Sequence, residues 1–169
     1  MAETELNSTA AALLGLLHQG PMTGGELVAA AEARLGAFWS VTRSQVYREL
    51  PVLADRGYLR LGKTGARSAQ PYAITAAGKK AFSRWLSIEP GRDHQRNQVL
   101  LRTSFGSLHT AAQRRRLFAA QRKLHEEKLA SLRDQARAAK DDPYAKATLD
   151  FAVTYERALT KWLDAVSGS

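Results

Sequence analysis

The chain has 169 residues, of which 44% are hydrophobic and 24% charged, and it contains no cysteine. That composition excludes a disordered segment, a disulfide-stapled scaffold, thiol chemistry and cysteine-based zinc sites. Basic residues outnumber acidic ones 25 to 16, giving a net charge of +9 and a sequence pI near 10.2, so the expected partner is a polyanion. The start, Met1–Leu6, is acidic and has no basic n-region, and no apolar run approaches the ~18 residues of a membrane span. A cytoplasmic protein that does not enter a membrane is therefore expected.

Ser8 to Gln19 reads as a first helix, mostly buried, and Gly20-Pro21 breaks it. Thr23 and Glu26 form a capping box that opens a second helix through about Leu35, with Leu27, Val28, Ala31 and Leu35 inward. Phe38 and Trp39 lie in a short connector and are expected to plug the core beneath the next helix. Thr42 and Gln45 make a second capping box. The third helix has an apolar face of Val46, Leu50 and Leu53, and it ends at Gly57. Arg43, Ser44, Gln45, Tyr47 and Arg48 gather on its first turns, a set of short polar groups, a phenol and arginines that suits a DNA major groove. An ordinary solvated helix face accounts for this helix alone equally well.

Tyr58–Leu61 is predicted as a short strand and Tyr72–Ile74 as its return, joined by a basic, glycine-rich loop that contains Lys63, Arg67 and Ser68. Thr75 caps a fourth helix, roughly Ala76 to Ser87. Residues 40–85 hold nine basic and two acidic residues, a net +7, whereas residues 1–39 have a net charge of −3. Residues 90–97 are polar and read as a linker. Beyond them a short apolar helix is predicted to end near Gly106. A long charged helix follows from about Thr110 to Ala139, with Leu117, Leu124, Leu132 and Ala136 as its stripe and Phe118 and Leu129 beside it. Asp142 caps a last helix with Pro143 at its first position, and the stripe there is Ala147, Phe151, Tyr155, Leu159, Trp162 and Val166. Two long helices with narrow apolar faces have too little to bury alone, so a second copy of the chain is the expected partner.

Three helices, a hairpin and a fourth helix, with basic charge on helix three and the hairpin, make a winged helix-turn-helix. The fold class is therefore mainly α: a winged helix-turn-helix domain with a two-stranded wing over 1–89, then a C-terminal α-helical dimerisation region over 98–169. Other chemistries find little support. His18, His94, His109 and His125 are scattered without metal-ligand spacing and read as surface or packing residues. The glycine-rich stretches lack the lysine and hydroxyl ending of a phosphate loop, and there is no cofactor fingerprint. Neither a metal, a cofactor nor an enzymatic activity is expected.

At this point the sequence resembles a known family. The run Leu16–Leu27, the segment Phe38-Trp39-Ser40-Val41 followed by Val46-Tyr47 and Leu50 through Leu59, and the close Tyr72–Gly78 are similar to the PadR family of bacterial transcriptional regulators. The likeness is close over about residues 11–87 and general beyond. It implies a repressor with C-terminal dimerisation helices, and third-helix DNA contacts at the positions matching Ser44, Gln45 and Tyr47. Two departures stand out. The family usually has proline directly after that tyrosine, where this chain has Arg48, with Pro51 instead; Pro51 is expected to kink or shorten the helix. The wing tip, Gly65–Pro71, is also not the family's commonest version.

The expected function is a transcriptional regulator that binds double-stranded DNA as a homodimer, reads a pseudo-palindromic operator, and is released by a small aromatic or hydrophobic effector. Thr42, Arg43, Ser44, Gln45 and Tyr47 are the expected base-edge or nearby contacts. Arg48, Lys63, Arg67 and Ser68 are expected on phosphates or in the minor groove. Trp85, Phe105, Phe151, Tyr155 and Trp162 are expected as dimer-interface core or, as relatives suggest, the lining of an effector cavity. The alternative is a winged-helix protein-interaction module with only non-specific DNA affinity.

Overall fold

The computed structural model describes residues 6–62, 70–91 and 96–167. The wing loop around Lys63, Arg67 and Ser68 lies outside the described residues. The chain divides into two compact units, Met1–Gly91 and Arg92–Ser169, each with a core of its own.

The first unit follows from local signals. Asn7 caps α1 (Ser8–Leu16) by accepting from the Ala10 amide at 2.8 Å, and a single 3-10 turn over Leu17–Gln19 extends it. Leu13, Leu14 and Leu17 are fully buried, which makes α1 the central support of the unit. α2 (Gly24–Leu35) opens on its capping box: the Glu26 carboxylate accepts from the Thr23 amide at 2.7 Å and from the Thr23 hydroxyl at 2.9 Å. Those two donors, the backbone amide first, hold the Glu26 carboxyl below its usual range. α3 (Arg43–Asp55) packs its inner face on α1 and α2.

The end of α3 is a Schellman turn. Gly57, at φ +72°, donates to the Ala54 carbonyl at 2.8 Å, and Tyr58 donates to the Leu53 carbonyl at 2.9 Å. The chain emerges directly into β1 (Leu59–Leu61), which pairs antiparallel with β2 (Tyr72–Ile74) in the register Leu59 to Ile74 and Leu61 to Tyr72. β1 begins one residue later than the sequence predicts, because the Tyr58 amide is used by the turn. Thr75 caps α4 (Ala76–Leu86) and donates its hydroxyl to the Gly57 carbonyl at 2.8 Å, tying the hairpin back to the end of α3. The far side of β2 is also engaged: Met22 and Tyr72 exchange backbone hydrogen bonds of 3.0 and 2.7 Å just before α2.

Two expectations about this unit are corrected. Pro51 sits inside α3 and does not shorten it, since the helix runs on to Asp55. Pro51 is exposed, so its ring meets water, and the buried residues on either side hold the path. Phe38 and Trp39 do not plug the core: they are 49% and 42% exposed. The Val41 side chain, one position before the cap, is buried instead. A connector has no period to set which side chains point inward.

The second unit is a helical hairpin. Asn97 caps α5 (Gln98–Ser104) through the Val99 and Leu100 amides, and its side-chain nitrogen donates to the Tyr155 hydroxyl at 3.2 Å. A 3-10 turn over Gly106–Leu108 leads to α6 (Ala111–Ala138), opened by a Thr110 and Gln113 capping box. α7 (Pro143–Ser167) starts with Asp142 accepting from the Tyr144 and Ala145 amides. The seam between α6 and α7 keeps Leu132, Ala136 and Leu159 of the predicted stripes, with Leu117, Trp162 and Val166 packed against it, and departs from them elsewhere. On α6, Phe118, Leu129, Leu132 and Ala136 are buried while Leu124 is exposed. On α7 the buried line is Ala152, Glu156, Leu159 and Leu163, and Phe151 is 68% exposed. Val99 of α5 joins Phe118, Leu159 and Leu163 in one small core.

The seam carries a buried charge. Glu156 is 1% exposed; it accepts from His125 Nδ1 at 2.6 Å and from Lys128 Nζ at 2.7 Å. A carboxylate only accepts, so His125 donates from Nδ1. His125 is thus a packing histidine with a specific partner on the other helix. Replacing Glu156 by alanine leaves the largely buried His125 donor without an acceptor and Lys128 to water, and about 2 kcal/mol of stability should be lost. Chemical denaturation checks this, with Glu156→Gln expected to lie between alanine and the native protein.

Candidate nucleic-acid interface

The outer face of α3 is built on its cap. Thr42 has extended backbone (φ −80°, ψ 154°), and its hydroxyl accepts from the Gln45 amide at 3.3 Å. The Gln45 side-chain carbonyl accepts in return from the Thr42 amide at 2.8 Å and from its hydroxyl at 3.0 Å. Ser44 joins the cluster with its hydroxyl 3.1 Å from that of Thr42. Thr42 and Gln45 therefore hold the start of the helix, and the carbonyl of Gln45 is committed to that cap.

The cationic and aromatic side chains remain outward. Tyr47 is 46% exposed, and the Arg43 guanidinium lies 5.3 Å from the centre of its ring, a cation–π distance. The Arg48 side chain is 68% exposed and lies 3.6 Å from the Glu49 carboxylate. Glu49 faces inward at 8% exposure and accepts from Asn7 Nδ2 at 3.2 Å, joining the cap of α1 to the middle of α3. Arg60 extends from β1 as a further exposed cation at the base of the wing. The described surface thus presents Arg43, Ser44, Tyr47 and Arg48 on one helix, with the wing base beside the end of that helix.

Sequence reasoning missed two members of this arrangement. Glu49 belongs to the inner face, and its spacing from Val46 and Leu53 is helical, so the periodicity contained the signal. Gly24, the first residue of α2, lies against Tyr47: a Cβ there would be 2.9 Å from the tyrosine ring. No sequence signal marks that contact.

The aromatic candidates fall into both units. Trp85 is half-buried in the first, stacked on Phe82 with ring centres 6.2 Å apart. In the second, Trp162 packs edge-on against Phe118, Tyr155 holds Asn97, and Phe105 and Phe151 are exposed. Among the described residues, no group of three histidine, aspartate or glutamate side chains could hold a metal ion, and no helix is long and apolar enough to cross a membrane.

Three helices, a two-stranded wing with a fourth helix behind it, and an exposed basic and aromatic face on the third define a winged-helix regulator. Residues 13–84 match the family described as the transcriptional regulator PadR-like family, and residues 95–168 match the one described as virulence activator alpha, C-terminal. The first match spans the winged-helix unit and, with the relatives that follow, supports a PadR-like transcriptional regulator. The chain is 27% identical to the negative transcriptional regulator PadR of Bacillus subtilis, over 92% of this chain and 93% of that protein. The crystal structure of Bacillus subtilis PadR in complex with operator DNA matches with a TM-score of 0.82 at 25% identity, covering 96% of this chain and 98% of that one. The structure of the same regulator in complex with p-coumaric acid matches at 0.78, also at 25% identity and with the same coverage.

The cap yields a direct prediction. Thr42→Ala should destabilise the protein by about 1 kcal/mol, because it removes one half of the reciprocal cap and frees Gln45. Urea unfolding measures the difference, and Thr42→Ser should restore most of it. An alanine variant as stable as the native chain would show that the cap does not anchor the helix.

Proposed function

We propose that the protein is a sequence-selective DNA-binding repressor that acts as a homodimer on a pseudo-palindromic operator. The observation that carries this reading is α3. Val46, Leu50 and Leu53 are fully buried, while Arg43, Ser44, Tyr47 and Arg48 stand exposed on the opposite side. A rigidly seated helix with that face suits insertion into a major groove, where arginine, hydroxyl and phenol groups meet base edges and phosphates. Arg43, Ser44 and Tyr47 are assigned to base edges or adjacent phosphates, with Thr42 and Gln45 supporting them. Arg48 is assigned to phosphates, together with Lys63, Arg67 and Ser68 of the wing loop. Residues 1–89 serve as the DNA-binding domain and residues 98–169 as the dimerisation domain. The repressor role follows the Bacillus subtilis relative, which is described as a negative regulator and has been solved on operator DNA. A protein that works on operators acts in the cytoplasm.

Fluorescence anisotropy tests this reading. The protein is titrated with a fragment that it has itself enriched from a random-sequence pool, against unselected DNA. Affinities should differ by ~10³ or more, because specific binders separate from their own non-specific binding on that scale. A ratio within about tenfold would leave a winged-helix interaction module with general DNA affinity as the better account. Release by a small planar aromatic acid is part of the proposal, supported by the p-coumaric acid complex of the relative. Adding compounds of that class to the specific complex should lower its anisotropy.

Dimerisation is assigned to the second unit, where Leu101, Phe105, Leu108, Leu124, Tyr144 and Phe151 are each more than half exposed. A two-helix hairpin rarely leaves so many large apolar side chains to water without a partner. Light scattering should give twice the chain mass. Phe151→Glu should shift the protein toward monomer on dilution without unfolding it, since Phe151 contributes little to the seam. A variant that stays as dimeric as the native protein removes Phe151 from the interface.

A further inference from the structure

We infer that Gly24 is a positioning residue for Tyr47, so that the first turn of α2 sets where the α3 phenol is presented to DNA; this rests on the reading of α3 given above. Gly24 is buried at the first position of α2. A Cβ built there would lie 2.9 Å from Tyr47 Cε1, 3.0 Å from Cζ and 3.1 Å from the hydroxyl oxygen. The first is closer than a Cβ settles to a ring carbon in a folded protein and the other two are tight, so the hydrogen at this position makes room for the phenolic end of the ring. From α3 itself, the Arg43 guanidinium lies 5.3 Å from the ring centre.

Which side would yield to a larger residue is decided by how each is held. The start of α2 is fixed twice, by the Thr23 and Glu26 capping box and by the pair of backbone hydrogen bonds between Met22 and Tyr72. The Tyr47 ring, by contrast, is 46% exposed and turns about χ1 and χ2. An added methyl at Gly24 therefore moves the tyrosine and not the helix. Gly25 beside it supplies a control, because a Cβ there would meet nothing within 4 Å. Both glycine-to-alanine changes alter the same helical turn, and only one of them reaches Tyr47.

The test is a double-substitution cycle on the full chain, read as the ratio of affinities for the self-selected fragment and for random DNA. Gly24→Ala should lower that ratio about tenfold, as expected for one displaced base-reading side chain, and leave the thermal midpoint unchanged or raised. Gly25→Ala should leave the ratio unchanged. In a Tyr47→Ala background, adding Gly24→Ala should have no further effect. The inference is overturned if Gly24→Ala keeps native selectivity, if Gly25→Ala loses as much, or if Gly24→Ala lowers selectivity equally without the tyrosine. A Tyr47→Ala variant as selective as the native protein is a different failure: it removes α3's phenol from recognition altogether, and the role of Gly24 with it.

Discussion

The arrangement of the first unit depends on the burial of one face of α3 against α1. Val46, Leu50 and Leu53 reach zero exposure, as do Leu13 and Leu14 beneath them. Each fully buried side chain of this size contributes roughly 1.5–3 kcal/mol, whereas proline inside a helix costs about 3. The core therefore outweighs Pro51, and α3 continues through it. The same inequality explains why a residue that departs from the family pattern does not end the helix: its course is set by what it is packed on. Every side chain on the outer face inherits its position from that seat.

The end of α3 passes this constraint to the wing. The Schellman turn at Gly57 uses the Tyr58 amide, and the Tyr58 carbonyl then accepts from the Thr75 amide at 3.0 Å. The Thr75 hydroxyl reaches the Gly57 carbonyl, so one residue caps α4 and closes the base of the hairpin. On the other edge, Met22 pairs with Tyr72 and brings the start of α2 to the same small sheet. The third helix, the base of the wing and the first turn of α2 are thus fixed to one another by backbone hydrogen bonds, which side-chain substitutions leave in place.

What could be read in the sequence was what local physics decides. The capping boxes at Thr23 and Thr42, the Asp142-Pro143 start and the stop at Gly57 each involve residues within a turn of one another, and all appear as read; the Thr110 and Gln113 box is of the same local kind and went unread. The apolar face of α3 was legible because its period is strong. Misreadings arose where several orientations bury comparable surface. Phe38 and Trp39 are large and apolar, yet a connector offers no period to aim them inward. On α7, a stripe through Phe151 and Tyr155 is more hydrophobic than the true seam through Ala152 and Glu156, and hydrophobicity alone prefers the wrong one. Gly24 was invisible for another reason: its contact joins helices that are 23 positions apart.

The choice of seam in the hairpin is explained by the charge it contains. Leucines facing leucines tolerate a slip along the helix, because each finds another apolar neighbour one turn away. Glu156 does not. A one-turn slip would carry it about 5.4 Å along α6 and break its hydrogen bond to His125, which costs a buried carboxylate more than an apolar contact gains. The Arg122 and Asp164 pair, 2.6 Å apart across the same two helices, would be broken by the same movement. The face of α7 that presents Glu156 to His125 and Lys128 is also the one that leaves Phe151 outward, since a rotation bringing Phe151 into the seam would carry Glu156 away from both donors. The buried acid and the exposed Phe151 thus belong to one and the same orientation of α7, in which satisfying Glu156 leaves an apolar side chain on the outer face.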